Sequence, residues 1–148
     1  MAREPGGWRQ TVAEYFSLDT VDSLAAITDD AAARRRELDI AAAKLGLALP
    51  EAALAVPGLV LKRADVFAFR RRPLAEILYL DPRYGPTALC IIANGKPDSG
   101  LRHERREGQN LVFWQRGGRG FLIIGRAPPG ALARHAETVA RGLAVTPL

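Results

Sequence analysis

The chain predicts an α+β fold: an antiparallel meander of about five strands, with N-terminal helices and a C-terminal helix packed on it. Three observations predict this. The spacing of apolar residues changes from a helical period to alternation near Gly58, so residues 8–46 read as helical and 58–126 as sheet. Residues 110–125, NLVFWQRGGRGFLIIG, hold two apolar runs around Gly117-Gly118, a pair that accepts the positive φ of a tight reversal. Residues 130–143 set Leu132, Ala136, Val139 and Leu143 on one helical face after the break at Pro128-Pro129.

In chain order, residues 1–7 read as a disordered start. Residues 8–17, WRQTVAEYFS, place Trp8, Val12, Tyr15 and Phe16 at i, i+4, i+7 and i+8, one amphipathic face. Asp19-Thr20 can cap a short helix over 21–27 with Leu24 and Ile27 inward. Thr28-Asp29-Asp30 starts a helix over 31–45, ended by Gly46, with Leu38, Ala41, Ala42 and Leu45 as its stripe. Arg34-Arg35-Arg36 reads as its solvated side. A connector follows, with a helical turn after Pro50.

Residues 59–69 then form one long, bulged strand or two short ones, Arg70 to Pro73 a turn, and 74–80 and 87–93 two more strands. Residues 96–108, KPDSGLRHERREG, read as a polar, flexible loop. The hairpin strands are apolar on both faces: Leu111 and Phe113 point one way, Val112 and Trp114 the other. Such strands belong in a sheet covered on both sides. The C-terminal helix can cover one face, which leaves the N-terminal helices for the other face or an edge.

The 148 residues suit one domain with its own core. Net charge is +5 but unevenly spread: −3 over residues 1–58, +7 over 59–126 and +1 over 127–148. The basic sheet region suits anionic partners. However, 18 of the 21 basic residues are Arg beside abundant Ala, which a compositional bias explains better. No window of about 18 apolar residues is present to span a membrane, and MAREPGGWRQ has no apolar core of a signal peptide.

The chemistry-bearing residues form no constellation. One cysteine, Cys90, excludes an internal disulfide; it sits in TALCIIA and reads as a packed thiol. His103 and His135 have no metal-ligand spacing, and Ser17, Ser23 and Ser99 have no nucleophile elbow, so no metal, cofactor or catalytic residue is expected. Arg116 to Gly120, RGGRG, lies between two strands with no Lys-Ser/Thr after it, and reads as a hairpin turn before a phosphate cradle. Glu76 sits mid-strand among apolar residues, facing solvent or paired with an Arg on a neighbouring strand. Basic groups near aromatic strands admit a soluble binding module for nucleic acid or anionic surfaces as the alternative reading.

The sheet region resembles the C-terminal extracytoplasmic domain of bacterial transmembrane anti-sigma factors. The residues that carry the likeness are Tyr79 and Asp81, Asn110 and Trp114, and Gly120 and Phe121, in the order strand, charged loop, strand, strand, helix. WRQTVAEYFSLDTVDSLA is similar to the segment that follows the membrane helix in one branch of that family. The resemblance implies a non-enzymatic sensor or regulatory domain with a protein partner and no specific nucleic acid, on the extracytoplasmic, periplasmic face of the inner membrane. Family members carry a sigma-binding segment and a membrane tether ahead of such a domain. These 148 residues contain neither, so a sigma factor would be reached only through such a segment. The candidate partner-binding or switch residues are Trp8, Tyr15 and Phe16 on the first helix and Trp114, Arg116, Arg119 and Phe121 on the hairpin.

Overall fold

The structure is a computed structural model that describes residues 7–144; the start expected to be disordered lies, apart from Gly7, outside the described residues. Its elements run α1 (Trp8–Phe16), α2 (Val21–Ala25), α3 (Ala31–Leu45), α4 (Glu51–Leu54), β1 (Val60–Phe69), β2 (Arg72–Asp81), β3 (Gly85–Ala93), β4 (Ser99–Arg106), β5 (Gln109–Arg116), β6 (Arg119–Gly125) and α5 (Pro129–Ala144).

The helix boundaries follow local chemistry. Thr20 and Ser23 form a capping box at α2, the Asp30 carboxylate accepts from the Ala33 N–H at α3, and Gly46 ends α3 at φ 63°. Arg34 is not part of a solvated side: its guanidinium is largely covered and pairs with Asp29 at 2.6 Å and Glu51 at 2.9 Å, while Arg35 and Arg36 stay exposed. The α3–α4 connection is drawn together by this pair of carboxylates.

All strand pairs are antiparallel, in the order β1-β2-β3-β6-β5-β4. The sheet is two three-stranded meanders joined where β3 pairs with β6. Six strands form because residues 99–106, expected as a flexible loop, pair with β5 as an edge strand. Glu107-Gly108 makes the reversal, at φ 49° and 73°. The exposed charged side chains of β4 suit an edge, where they discourage further strands from pairing. β1 carries a register shift between Leu61 and Arg63, so it is the single bulged strand of the two options. The turn after it is Arg70-Arg71; Arg72 and Pro73 already belong to β2.

The sheet is covered on both faces. On one, α3, α4 and α5 pack Leu38, Leu54, Leu132 and Val139 over Ile77, Leu89, Val112, Trp114 and Ile123. The Tyr79 hydroxyl donates to the Leu54 carbonyl at 2.8 Å across this layer. On the other, α1 and α2 pack Val12, Ala13, Phe16 and Leu24 over Leu78, Cys90, Leu111, Leu122 and Ile124. Among the described residues, no helix is long and apolar enough to cross a membrane.

Candidate functional site

A cavity of about 200 Å³ lies between α1 and the β1–β2–β3 edge of the sheet. Val12, Phe69 and Leu74 give it apolar walls, and Glu76 and Cys90 reach it from β2 and β3. Tyr15 and Phe67, both exposed, form its rim with ring centroids 5.7 Å apart. Tyr15 was expected to face inward, but it is 59% exposed. The buried face of α1 centres on Phe16, and residues along a helix step by about 100°, which turns Ala13 inward and Tyr15 to the flank.

Register explains the floor. Asp65, Glu76 and Cys90 are cross-strand partners on β1, β2 and β3, so their side chains share the α1 face of the sheet. Glu76 is only 8% exposed and no hydrogen bond to its carboxyl is found among the described residues. It neither faces solvent nor pairs with an arginine; Arg63, the nearby guanidinium, pairs with Asp65 at 3.1 Å instead. Burial pushes the Glu76 carboxyl up to about 7, with Asp19 and Asp65 adding to the rise and Arg63 opposing it. Burial raises Asp19 as well, against the pull of Arg63. The Cys90 thiol is driven up by burial first, then by Glu76 and Asp19. A thiol reagent is therefore expected to leave Cys90 unmodified in the native protein and to label it on unfolding; fast native labelling would mean that α1 lifts from the sheet.

A polar clasp holds the N-terminal end of this cover. Arg9 donates to Glu104 on β4 at 2.5 Å, Arg106 donates to the same carboxylate at 2.9 Å, and Arg106 also reaches Gln10 at 3.1 Å. Burial acts to raise the Glu104 carboxyl, but the hydrogen bonds from Arg106 and Arg9 prevail and hold it below its ordinary value. The Arg9 guanidinium also lies over the Phe113 ring, 4.1 Å from its centroid.

The residues singled out in the sequence fall on opposite faces. Trp8 is half-buried over the hairpin end, where a Cβ at Gly120 would stand 2.6 Å from Gln115 Oε1, 2.9 Å from Asn94 Nδ2 and 3.1 Å from the indole Cζ2, so the glycine lets all three approach. Phe16 is buried under α1. Trp114 and Phe121 lie on the α5 face, each 5% exposed and stacked at 5.1 Å, so neither offers a ring to a nucleic-acid base. Arg119 donates to the Leu45 and Gly46 carbonyls at 3.0 and 2.5 Å, which satisfies the C-terminal end of α3. Arg116 is exposed at the turn, where Gly117 and Gly118 take φ of 60° and 76°. His103 lies on β4 and His135 on α5, and no group of His, Cys, Asp or Glu among the described residues could hold a metal ion. The features of the cavity that the sequence reading passed over are Phe67 at the rim and the Asp19–Asp65–Glu76 grouping.

No protein-family model matches the chain, and no curated protein matches it. Solved structures with a partly similar fold include MucB in complex with the periplasmic part of MucA, at 20% identity over 55% of this chain and 32% of that one, TM-score 0.44. The Pseudomonas aeruginosa MucA/MucB complex is similar at 20% identity, 55% and 31% coverage, TM-score 0.45. A GTP-binding regulator from Thermotoga maritima is similar at 15% identity over 72% of this chain and 86% of that one, TM-score 0.45. The chain thus spans about a third of the length of the first two.

Proposed function

We propose that this chain is a non-catalytic regulatory domain that takes a protein partner at the sheet face covered by α1 and α2. The unequal cover of the two faces carries this reading. The α3–α4–α5 layer buries the larger apolar cluster, whereas α1 and α2 are short helices that bury four side chains, with Tyr15 exposed at the rim of the cavity and Leu18 and Val21 exposed elsewhere on the cover. Layers with few buried apolar contacts open at lower free energy than the global unfolding. Exposed apolar groups along their edge give a partner something to bury. The sequence resemblance supports the same role: an extracytoplasmic domain that acts on transcription through a membrane-anchored, sigma-binding segment. A partner competing for the sheet face would move the cover nearest that segment and so pass on the signal.

Leu18→Glu with Val21→Glu tests this, because both residues are exposed and tolerate charge without loss of fold. Transcripts are compared between cells carrying the parent gene, the double variant and a deletion. The variant is expected to shift the same set of transcripts as the deletion. Unchanged transcripts in the deletion strain, or substrate turnover by the purified chain, would overturn the proposal.

A further inference from the structure

We propose that the cavity under α1 is a small-molecule site for an amine of one-ring size, its apolar body between Val12, Phe69 and Leu74 and its ammonium group on the Glu76 carboxylate. The two parts of the ligand follow from two features of the cavity. Its walls are apolar, and an apolar cavity of about 150 Å³ is enough to hold benzene; at about 200 Å³ this one takes a single ring with a short side chain. Its floor carries Glu76, a residue only 8% exposed that lines the cavity and whose carboxyl has no hydrogen-bond partner among the described residues. Buried carboxylates are normally paired, so one at the floor of an apolar cavity suits a hydrogen-bond donor carried by a ligand.

The surrounding charge selects a cation. Asp65 and Arg63 on β1 and Asp19 at the α1–α2 connection act on Glu76, so three carboxyls stand against one guanidinium at the floor; the Cys90 thiol beside it on β3 stays neutral, and the Arg70 guanidinium lies over the Phe69 ring, 5.0 Å from its centroid. No cluster among the described residues could hold a metal, which leaves an organic cation. The Tyr15 and Phe67 rings at the rim add π faces along the entry path. An anionic ligand, such as a fatty acid, would meet the same field as repulsion.

The test uses the whole chain with 2-phenylethylamine and its neutral counterpart 2-phenylethanol, by calorimetry and by amide shifts at Thr11, Phe69 and Cys90. At pH 8.5 Glu76 is ionised, and a hydrogen bond between charged groups is worth roughly tenfold or more in affinity. The amine is therefore expected to bind about tenfold or more tightly than the alcohol at pH 8.5, and the gap is expected to close at pH 5, where Glu76 is protonated. Glu76→Gln, which keeps the shape, should bind the two equally at both pH values. Should that variant fail to fold, the amine–alcohol comparison on the parent still decides. Equal binding of amine and alcohol at pH 8.5, or shifts confined to residues outside the cavity, would overturn the site. The two readings share a face but fail separately: a chain that binds the amine but alters no transcript keeps this site and loses the regulatory role.

Discussion

Glu76→Gln is expected to make the protein more stable at pH 8 and to flatten its pH profile. Below about pH 4.5 the Glu76 carboxyl is protonated in both folded and unfolded chains, and it contributes no difference. Between there and pH 7 the unfolded chain releases the proton while the folded chain retains it, because burial holds the folded carboxyl near 7. Stability therefore falls as pH rises through this window, by roughly 3 kcal/mol in total for a shift of this size. A neutral glutamine of the same shape removes that loss. Urea unfolding at pH 5 and pH 8 should show the parent losing stability relative to the variant across the window. Parallel profiles would mean that Glu76 is solvated or paired in solution.

Trp114→Ala should have the largest effect of any single truncation considered for the hairpin, about 3–5 kcal/mol. The indole is buried in the α5-side core and stacked on Phe121 at 5.1 Å and 7°, so its removal takes away both that contact and the buried area. Against a total stability of about 5–15 kcal/mol, such a loss is visible as a large drop in the urea midpoint. Tyr15→Ala, at an exposed aromatic of similar bulk, should change stability by no more than about 0.5 kcal/mol. A comparable loss for both would mean that the two faces are packed alike, against the unequal cover described above.

The α+β class, the hairpin, Gly46 and the four inward residues of α5 were legible in the sequence because each rests on a local signal: alternation, a Gly-Gly reversal, or helical spacing. The strand over residues 99–106 was not. GLRHERR has no apolar alternation, since an edge strand needs only backbone pairing on one side and its charges protect the other. The Glu107-Gly108 reversal was the one available clue. Tyr15 was misplaced because the helical period defines a stripe but not which of its borders the sheet reaches. The candidate site was legible only in part. Trp8, Tyr15 and Phe16 lie on the cover, Trp114 and Phe121 pack on the α5 side, Arg116 sits at the turn and Arg119 holds the end of α3. The perturbation of Glu76 was out of reach altogether. It depends on register with Asp65 and on Asp19 arriving from a connection 57 positions away, neither of which leaves a pattern near residue 76.

The central claim is that α1 and α2 form a cover that opens separately from the sheet. Native-state hydrogen exchange on Phe16→Ala tests it most directly, since Phe16 is buried beneath that cover and away from the α5 side. The account predicts faster exchange across residues 8–27 with unchanged protection across 110–125; loss of protection in both stretches together would show one cooperative core and contradict it.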